Sequence, residues 1–253
     1  MSQLFPSREL RFFLTAPQPC PYLPGRLERK VFAHLPLNEG AAVNDALTLG
    51  GFRRSQNIAY RPACPGCDAC VSARIPVQEH VASRSERRVL ERNADLTVSR
   101  AGAEATSEQF ELLRRYLDAR HADGGMAGMN WPDYVAMVED TAVRTHVVEY
   151  RLGDDATSPG TLMACVLIDT LVDGVSMVYS FYDPQARRRS LGSFIILDHV
   201  ARARRAGLDY VYLGYWVRGS EKMAYKARFE PLEILRPEGW RVMTPQERED
   251  AGV

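Results

Sequence analysis

The segment Ser180-Phe-Tyr-Asp-Pro-Gln-Ala-Arg-Arg-Arg-Ser-Leu-Gly-Ser193 joins two different periodic patterns. A strand is predicted to end at Tyr182-Asp183-Pro184, and a basic turn follows it. A helix is predicted from Arg188 to Ala206, with Gly207 at the expected C-cap position. Backbone N–H groups at the start of that helix, with Arg187 to Arg189 beside them, predict an anion pocket. The alternative is a capped helix with solvated arginines.

Periodic segments on either side predict the neighbouring elements. After residue 145 the pattern favours a meander of strands, then the helix, a strand, a short helix and a last strand. The predicted strands are Asp95–Arg100, Thr145–Leu152, Thr161–Val172, Val175–Tyr182, Leu208–Tyr215 and Leu232–Leu235, with turns at Asp154–Gly160 and Asp173-Gly174. The other predicted helices are Ser83–Asn93, with a capping box at Ser83 and Glu86, Ser107–His121, Pro132–Thr141 and Ser220–Lys226.

The two halves of the chain differ in composition. Residues 1–80 are rich in Pro, Gly and Cys and poor in helical periodicity. The regular pattern of strands and helices belongs mainly to the second half. We therefore expect an α+β protein in which a Cys-rich N-terminal domain, residues 1–100, packs on a second domain, residues 101–253.

Length and charge exclude some classes of protein. The 253 residues carry 32 Lys+Arg and 32 Asp+Glu, so no overall attraction to a polyanion is expected. The 45% apolar content is too high for a disordered chain. No apolar run is long enough to span a membrane. Arg8, Glu9 and Arg11 interrupt the N-terminal apolar stretch, so a signal peptide is not expected and the cytoplasm is the default compartment.

The cysteines cluster in the first half. Cys64-Pro-Gly-Cys67-Asp-Ala-Cys70 places three thiols on a tight turn, and Cys20 could add a fourth. Four thiolates suit zinc or an iron–sulfur cluster. The alternative is a set of free thiols that pack a proline-rich turn. Cys165 lies in an apolar stretch and is expected in the core.

The basic residues are almost all arginine, and Lys30, Lys222 and Lys226 are the only lysines. Arg84, Arg88 and Arg92 are spaced to share one face of the predicted helix. Such a face is either solvated or able to bind RNA phosphates. Two of the three lysines follow a strand end at Gly214-Tyr215-Trp216, where ligand sites collect in α/β sheets. Core packing is the alternative for these aromatics.

In combination, these segments resemble the bacterial aminoacyl-tRNA–protein transferases of the arginyltransferase family, and most closely its leucyl-transferring branch. The matching segments, in chain order, are Tyr60–Cys70, Ser83–Arg88, Tyr116–Met126, Ser180–Pro184 with Arg189–Gly192, and Leu213–Trp216 through Lys222–Lys226. Arg189-Ser-Leu-Gly192 is also a near match to the R-x-x-G-x-[GA] turn of acyl-CoA N-acyltransferases of the GNAT type, although Phe194 stands at its last position.

The resemblance implies a fold, a reaction and a site. It implies a GNAT-like second domain that moves leucine from leucyl-tRNA to an N-terminal Asp or Glu, marking the acceptor for degradation. The implied reaction requires no cofactor. The resemblance leaves open whether the cysteines bind zinc or an iron–sulfur cluster. The residues implied for proton transfer and oxyanion stabilisation are Tyr182, Asp183 and Tyr215. Those implied for substrate binding are Arg53, Arg61, Arg74, Arg187, Arg188, Arg189, Ser190, Gly192, Trp216, Lys222, Tyr225 and Lys226.

Other functions stay open at this point. The donor could be arginyl-tRNA instead of leucyl-tRNA. A GNAT acyl-CoA N-acyltransferase predicts CoA binding without tRNA. A non-catalytic RNA-binding or metal-sensing module predicts RNA affinity without product. The sequence gives no oligomeric state.

Overall fold

The computed structural model describes residues 10–122, 124–153 and 159–250. Arg8, Glu9, Asp123 and most of the turn predicted at Asp154–Gly160 lie outside this part of the chain. The strands are β1 (Phe12–Leu14), β2 (Gln18–Pro19), β3 (Leu27–Glu28), β4 (Lys30–His34), β5 (Arg53–Ser55), β6 (Ile58–Pro62), β7 (Cys70–Pro76), β8 (Leu96–Gly102), β9 (Thr145–Leu152), β10 (Thr161–Thr170), β11 (Gly174–Tyr182), β12 (Tyr210–Val217), β13 (Glu233–Arg236) and β14 (Gly239–Val242). The helices are α1 (Gly40–Leu49), α2 (Arg84–Arg92), α3 (Ser107–Arg120), α4 (Trp131–Glu139), α5 (Leu191–Arg205), α6 (Glu221–Ala224) and α7 (Pro245–Glu249), with 3₁₀ turns at Arg187–Arg189 and Tyr225–Arg228.

Eight strands form one large sheet in the order β14-β13-β7-β12-β11-β10-β9-β8. Strands β11 and β12 pair in parallel, whereas the other paired strands of this sheet run antiparallel. A parallel pair needs a crossover connection, and helix α5 supplies it between β11 and β12. The mixed α and β architecture with a large sheet agrees with the sequence prediction.

Apolar residues cover both faces of this sheet. Along β10, Ala164, Val166 and Ile168 join the core that packs on α5. Cys165 and Leu167 point to the opposite face and join the core formed with α3 and α4. This alternation follows from the two-residue period of a strand, and it confirms Cys165 as a core residue. No helix in the described part of the chain is long and apolar enough to cross a membrane.

A second, smaller sheet in the order β1-β4-β6-β5 comes from the first part of the chain. Helix α1 contributes Val43 to an apolar cluster with Leu35, Phe52 and Ala59. The sequence did not predict α1. The reason is local, because Glu39 precedes the helix without a side-chain capping bond and no acidic residue lies in its first turn.

The large sheet crosses the boundary predicted near residue 100. Strand β7 lies between β12 and β13, and β8 pairs with β9 at the opposite edge. The division into residues 1–100 and 101–253 stays a prediction. Residues from both predicted domains nevertheless build the same sheet.

Most predicted elements are confirmed with small shifts in their ends. The capping box of Ser83 and Glu86 is present at α2, and β9 has the predicted bounds. The helix predicted from Arg188 begins at Leu191 instead. Ser190 has φ 54°, in the left-handed region, so the preceding arginines form a separate 3₁₀ turn.

Candidate active site

Strands β11 and β12 pair over only part of their length. Their parallel pairing covers Gly174 with Tyr210, Val175 with Val211 and Ser176 with Tyr212. Beyond these pairs β11 continues to Tyr182 and β12 to Val217. We call the space between Met177–Tyr182 and Leu213–Val217 the strand gap. Register shifts in the outer pairings, at Leu167/Ile168 and Tyr212/Gly214, mark bulges that redirect both strands here.

Arg53 reaches both strands at the gap. Its Nη2 donates to the carbonyl oxygens of Met177 at 3.2 Å and Val178 at 2.9 Å. Its guanidinium also lies against Gly214, where any Cβ would collide with it. Gly214 has φ 72°, so both the backbone conformation and the contact with Arg53 require glycine there.

Lys226 meets the other strand at the same place. It is 3% exposed, and its Nζ donates to the carbonyl oxygen of Tyr215 at 2.5 Å. Burial, followed by the charge of Arg53, lowers the pKa of Lys226 well below its ordinary value. Two basic side chains therefore donate to backbone carbonyls on the two sides of the gap.

Tyr182 ends β11 beside the start of helix α5. A Cβ on Gly192 would lie 3.3 Å from the Tyr182 hydroxyl oxygen, so glycine at this position lets the ring lie close to the first turn. The N-terminus of a helix carries partial positive charge, which favours negative charge developing nearby. The glycine of the Arg189-Ser-Leu-Gly192 pattern thus makes room for a tyrosine.

Further aromatic groups surround Tyr182. The ring of Tyr116 on α3 lies 4.9 Å from that of Tyr182 and 5.5 Å from that of His121. Burial, then the neighbouring Tyr182, raises the pKa of Tyr116, and burial raises the pKa of Tyr179 to about 12. Burial, then Lys222, lowers the pKa of His121. Both tyrosines stay protonated at neutral pH, and Tyr116, beside Tyr182, can donate a hydrogen bond to a developing oxyanion.

The other predicted residues on β12 point elsewhere. The Tyr215 hydroxyl lies within hydrogen-bond distance of two backbone carbonyls, 3.1 Å from that of Gly51 and 2.9 Å from that of Tyr60. It therefore faces the segment that precedes β7. Trp216 is 1% exposed and packs in the core shared with α5. The structure does not bring either side chain's polar group to Tyr182.

Three of the predicted substrate-binding cations lie apart from Arg53 and Lys226. Arg74 pairs with Glu233 at 2.7 Å and stacks on Tyr210 at 3.5 Å. The exposed Arg61 lies over the Phe52 ring at 5.1 Å. Lys222 is exposed on α6, close enough to His121 to influence its pKa.

The basic turn has a mixed arrangement. Arg189 makes a two-bond ion pair with Asp95, both bonds at 2.8 Å. Arg187 and Arg188 are exposed, and neither has an ion pair within the described residues. Asp183 accepts a bond from the backbone N–H of Gln185 at 2.9 Å, so one of its carboxylate oxygens stabilises the turn.

The four cysteines of the predicted metal set line one pocket together with Lys30 and Tyr60. Burial, followed by the nearby thiols, raises the pKa of Cys70 to about 12. Cys64 instead contacts the backbone of Arg29. Across residues 10–122, 124–153 and 159–250, no three His, Cys, Asp or Glu side chains are placed to hold one metal ion. The four thiols line the same pocket, and a metal ion or cluster bound by them stays a prediction.

The sequence pattern did not indicate a functional role for Tyr116 or Tyr179. His121 caps α3, since its N–H donates to the Leu117 carbonyl. The sequence does not distinguish Tyr116 from a core residue, because Tyr116 lies at helical spacing among core residues such as Leu113 and Leu117.

Comparison with known proteins connects this site to a family. The family model for the C terminus of arginine-tRNA-protein transferase matches residues 108–236, and that for its N terminus matches residues 18–88. This chain belongs to the arginine-tRNA-protein transferase family. The family resemblance of the sequence segments is confirmed. The two matched ranges include β11, β12 and Arg53.

Similar proteins cover nearly the whole chain. An aspartate/glutamate leucyltransferase of Phenylobacterium zucineum is 69% identical over 247 residues, covering 98% of this chain and 96% of its own. One of Caulobacter vibrioides is 70% identical over 248 residues, covering 98% of this chain and 89% of its own. A solved structure of FemX is similar with a TM-score of 0.45 at 9% identity, covering 73% of this chain and 62% of FemX.

Proposed function

We propose that this protein transfers leucine from leucyl-tRNA to the N-terminal amine of proteins that begin with Asp or Glu. The observation that carries the proposal is the set of relatives named aspartate/glutamate leucyltransferase, which match about 70% of residues over almost the full chain. The product would carry a new N-terminal leucine and become a target for degradation. A charged tRNA donor makes the cytoplasm the expected compartment.

The reaction exchanges an ester for an amide. The neutral α-amine of the acceptor attacks the ester carbonyl carbon, a C–N bond forms, and the C–O bond to the tRNA ribose breaks. One proton moves from the amine nitrogen to the leaving ribose oxygen. Because the ester is already activated, no cofactor is required. An unperturbed α-amine has a pKa of about 7.7–8.0, so positioning supplies much of the acceleration.

We assign this chemistry to the strand gap. Tyr182 lies at the start of α5, where an oxyanion would be stabilised, and Tyr116 adds a second hydroxyl nearby. Asp183 and Tyr215 stay predictions as proton relays. One oxygen of Asp183 and the hydroxyl of Tyr215 are engaged with backbone groups, which favours Tyr182 over both.

We further propose a GNAT-like architecture for the second predicted domain. Its support is the order β11, basic turn, α5 and β12, with parallel strands that separate beyond Ser176 and Tyr212. The end of an aminoacyl-tRNA would enter the gap as the acyl donor. Under this proposal the gap between separated strands receives the acyl group.

The donor tRNA needs a phosphate-binding surface. Arg187 and Arg188 lie on the turn that follows β11, and Arg92 of α2 donates to the carbonyl oxygen of Arg188 at 2.5 Å. Exposed Arg84 and Arg88 extend this surface along α2. We call these arginines, Arg84, Arg88, Arg187 and Arg188, the arginine surface. Local positive charge suffices for phosphate binding even when the net charge is zero.

The test is transfer of labelled leucine from leucyl-tRNA to peptides that differ only in the first residue. Label on Asp and Glu peptides, and none on Lys or Ala peptides, supports the proposal. Arginyl-tRNA is the second candidate donor, because the matching family models carry that amino acid in their name. Transfer from arginyl-tRNA alone would keep the chemistry and replace the donor. Acetyl-CoA as the active donor would refute both. Metal analysis of anaerobically purified protein tests the prediction of zinc or iron–sulfur at the cysteines.

A further inference from the structure

Arg53 and Lys226 are two basic side chains that lie at the same point of β12 without an acidic partner among the described residues. Within the described residues, neither has a carboxylate oxygen within 4.0 Å. Their bonds are to backbone carbonyls, those of Met177 and Val178 for Arg53 and that of Tyr215 for Lys226. The Arg53 guanidinium lies against Gly214 and Lys226 bonds to the next residue, Tyr215, so both side chains lie at the same point of β12.

Two buried arginines elsewhere in the described part of the chain have carboxylate partners. Arg54 pairs with Asp169 at 2.6 Å and Arg74 with Glu233 at 2.7 Å. A buried charge without a counter-ion is costly, and two adjacent cations increase that cost. Burial therefore favours the neutral form of Lys226, and an anion bound beside Arg53 would stabilise the protonated form.

We propose that Arg53 and Lys226 bind the side-chain carboxylate of the acceptor's N-terminal Asp or Glu. This inference rests on the proposed function and names the acid-recognising part of its site. A leucyl group carries no anion, so the anion comes from the acceptor or from tRNA phosphate. Phosphate fits the exposed arginine surface better, whereas a carboxylate is small enough for an enclosed pair of donors.

Tyr225 is the exposed side chain next to Lys226. This residue is 41% exposed, and its ring lies 5.9 Å from Lys226 Nζ. Arg53 bonds to Met177 and Val178 of β11, the strand that ends at Tyr182, so a carboxylate bound at Arg53 and Lys226 would hold the acceptor at the strand gap. Among the residues that the family resemblance implies for substrate binding, the structure places Arg53 and Lys226 together and Arg61, Arg74 and Lys222 elsewhere.

The test uses matched acidic and amide peptides with leucyl-tRNA as donor. For each enzyme, kcat/KM is measured for Asp against Asn peptides and for Glu against Gln peptides. In Arg53→Met and Lys226→Met we expect the acid-to-amide ratio to fall about 10–100-fold, the range of a lost charge-assisted contact. The KM for leucyl-tRNA should not change. Arg205→Met, which removes an exposed arginine at the end of α5, is the control and should keep the wild-type ratio.

Two further measurements separate the outcomes. Calorimetric binding of the Asp and Asn peptides to each folded variant reports discrimination without turnover. Arg53→Lys, which keeps the charge, should retain part of it. An unchanged acid-to-amide ratio in both methionine variants overturns the inference while leaving the transferase activity standing. A wild-type enzyme that leucylates no peptide overturns the proposed function instead, and equal binding of Asp and Asn peptides by that enzyme overturns the inference separately.

Discussion

Arg53 and Arg54 are neighbours on β5, and their surroundings are opposite. Arg54 is buried and donates to both carboxylate oxygens of Asp169, at 2.6 Å and 2.8 Å, and to Thr145. Arg53 points to the strand gap and bonds only to backbone carbonyls among the described residues. Of these two arginines, Arg54 therefore has a carboxylate counter-ion, and Arg53 has none among the described residues.

This difference separates structural charge from functional charge. A buried arginine held by a carboxylate has no remaining capacity for an anionic ligand. A cation that lacks such a partner raises the free energy of the unliganded site. Binding of an anion then lowers that free energy. The comparison predicts that changes near Arg54 affect stability, and that changes near Arg53 affect substrate selection.

The largest effect on stability is expected at Arg54, the arginine that is paired with a carboxylate. Arg54→Met leaves Asp169 buried without its partner, so we expect the free energy of unfolding to fall by about 3–5 kcal/mol. Urea unfolding followed by circular dichroism measures the change. Arg54→Met combined with Asp169→Leu removes both charges and should recover most of the loss. A single variant as stable as wild type would contradict the assignment of Arg54 as structural.

Gly214→Ala attacks the position of Arg53 without removing its charge. Alanine at φ 72° is strained by about 1–2 kcal/mol, and its Cβ would also displace the guanidinium. Gly207→Ala is the matched control, because Gly207 has φ 69° with nothing within 4 Å of the added Cβ. Both variants should lose similar stability, but only Gly214→Ala should lose transfer to Asp peptides, by about tenfold or more. Equal activity in the two would show that the placement of Arg53 does not matter.

The sequence predicts most of the helices and strands, but it does not predict which distant residues and strands pair with one another. Local signals suffice for α2, whose capping box needs only Ser83 and Glu86, and for β9, whose alternation sets its bounds. Nothing local distinguishes Arg53 from Arg54, because their difference depends on Asp169, which lies 115 residues further along the chain. The insertion of β7 between β12 and β13 is equally remote in sequence.

The lysines show how far composition can lead. Retention of lysine at 222 and 226 in an arginine-rich chain indicated a special role for both positions. The structure makes them different, since Lys226 is buried at the gap and Lys222 is exposed. Side-chain burial on a short helical segment depends on which strand it packs against, and the sequence pattern does not contain that information.

Lys226→Met should stabilise the protein while it impairs acid recognition. Burial lowers the pKa of Lys226 in the folded state, whereas the unfolded value is about 10.4. Between these values the unfolded state binds more protons, so this lysine's contribution to stability becomes more favourable as pH rises. The variant's gain in stability should therefore be largest below the folded-state pKa of Lys226 and shrink toward pH 10. Urea unfolding at several pH values measures it, and a destabilised variant with a flat pH difference would contradict the cost assigned to the buried charge.

The smallest effect on stability is expected on the arginine surface, where the charge is exposed and neither paired nor buried. Arg88→Gln should change the free energy of unfolding by less than about 0.5 kcal/mol, because the side chain lies in water. It should raise the KM for leucyl-tRNA, leave the acid-to-amide ratio unchanged, and reduce the slope of log kcat/KM against log salt by about 0.7–0.9, the value for one phosphate contact. Glu91→Gln on the same helix is the control, since it removes an exposed negative charge and should not reduce the slope. A salt slope that Arg88→Gln leaves unchanged would show that this face is merely solvated, and the tRNA contact would then have to be sought at Arg187 and Arg188, beside the gap itself.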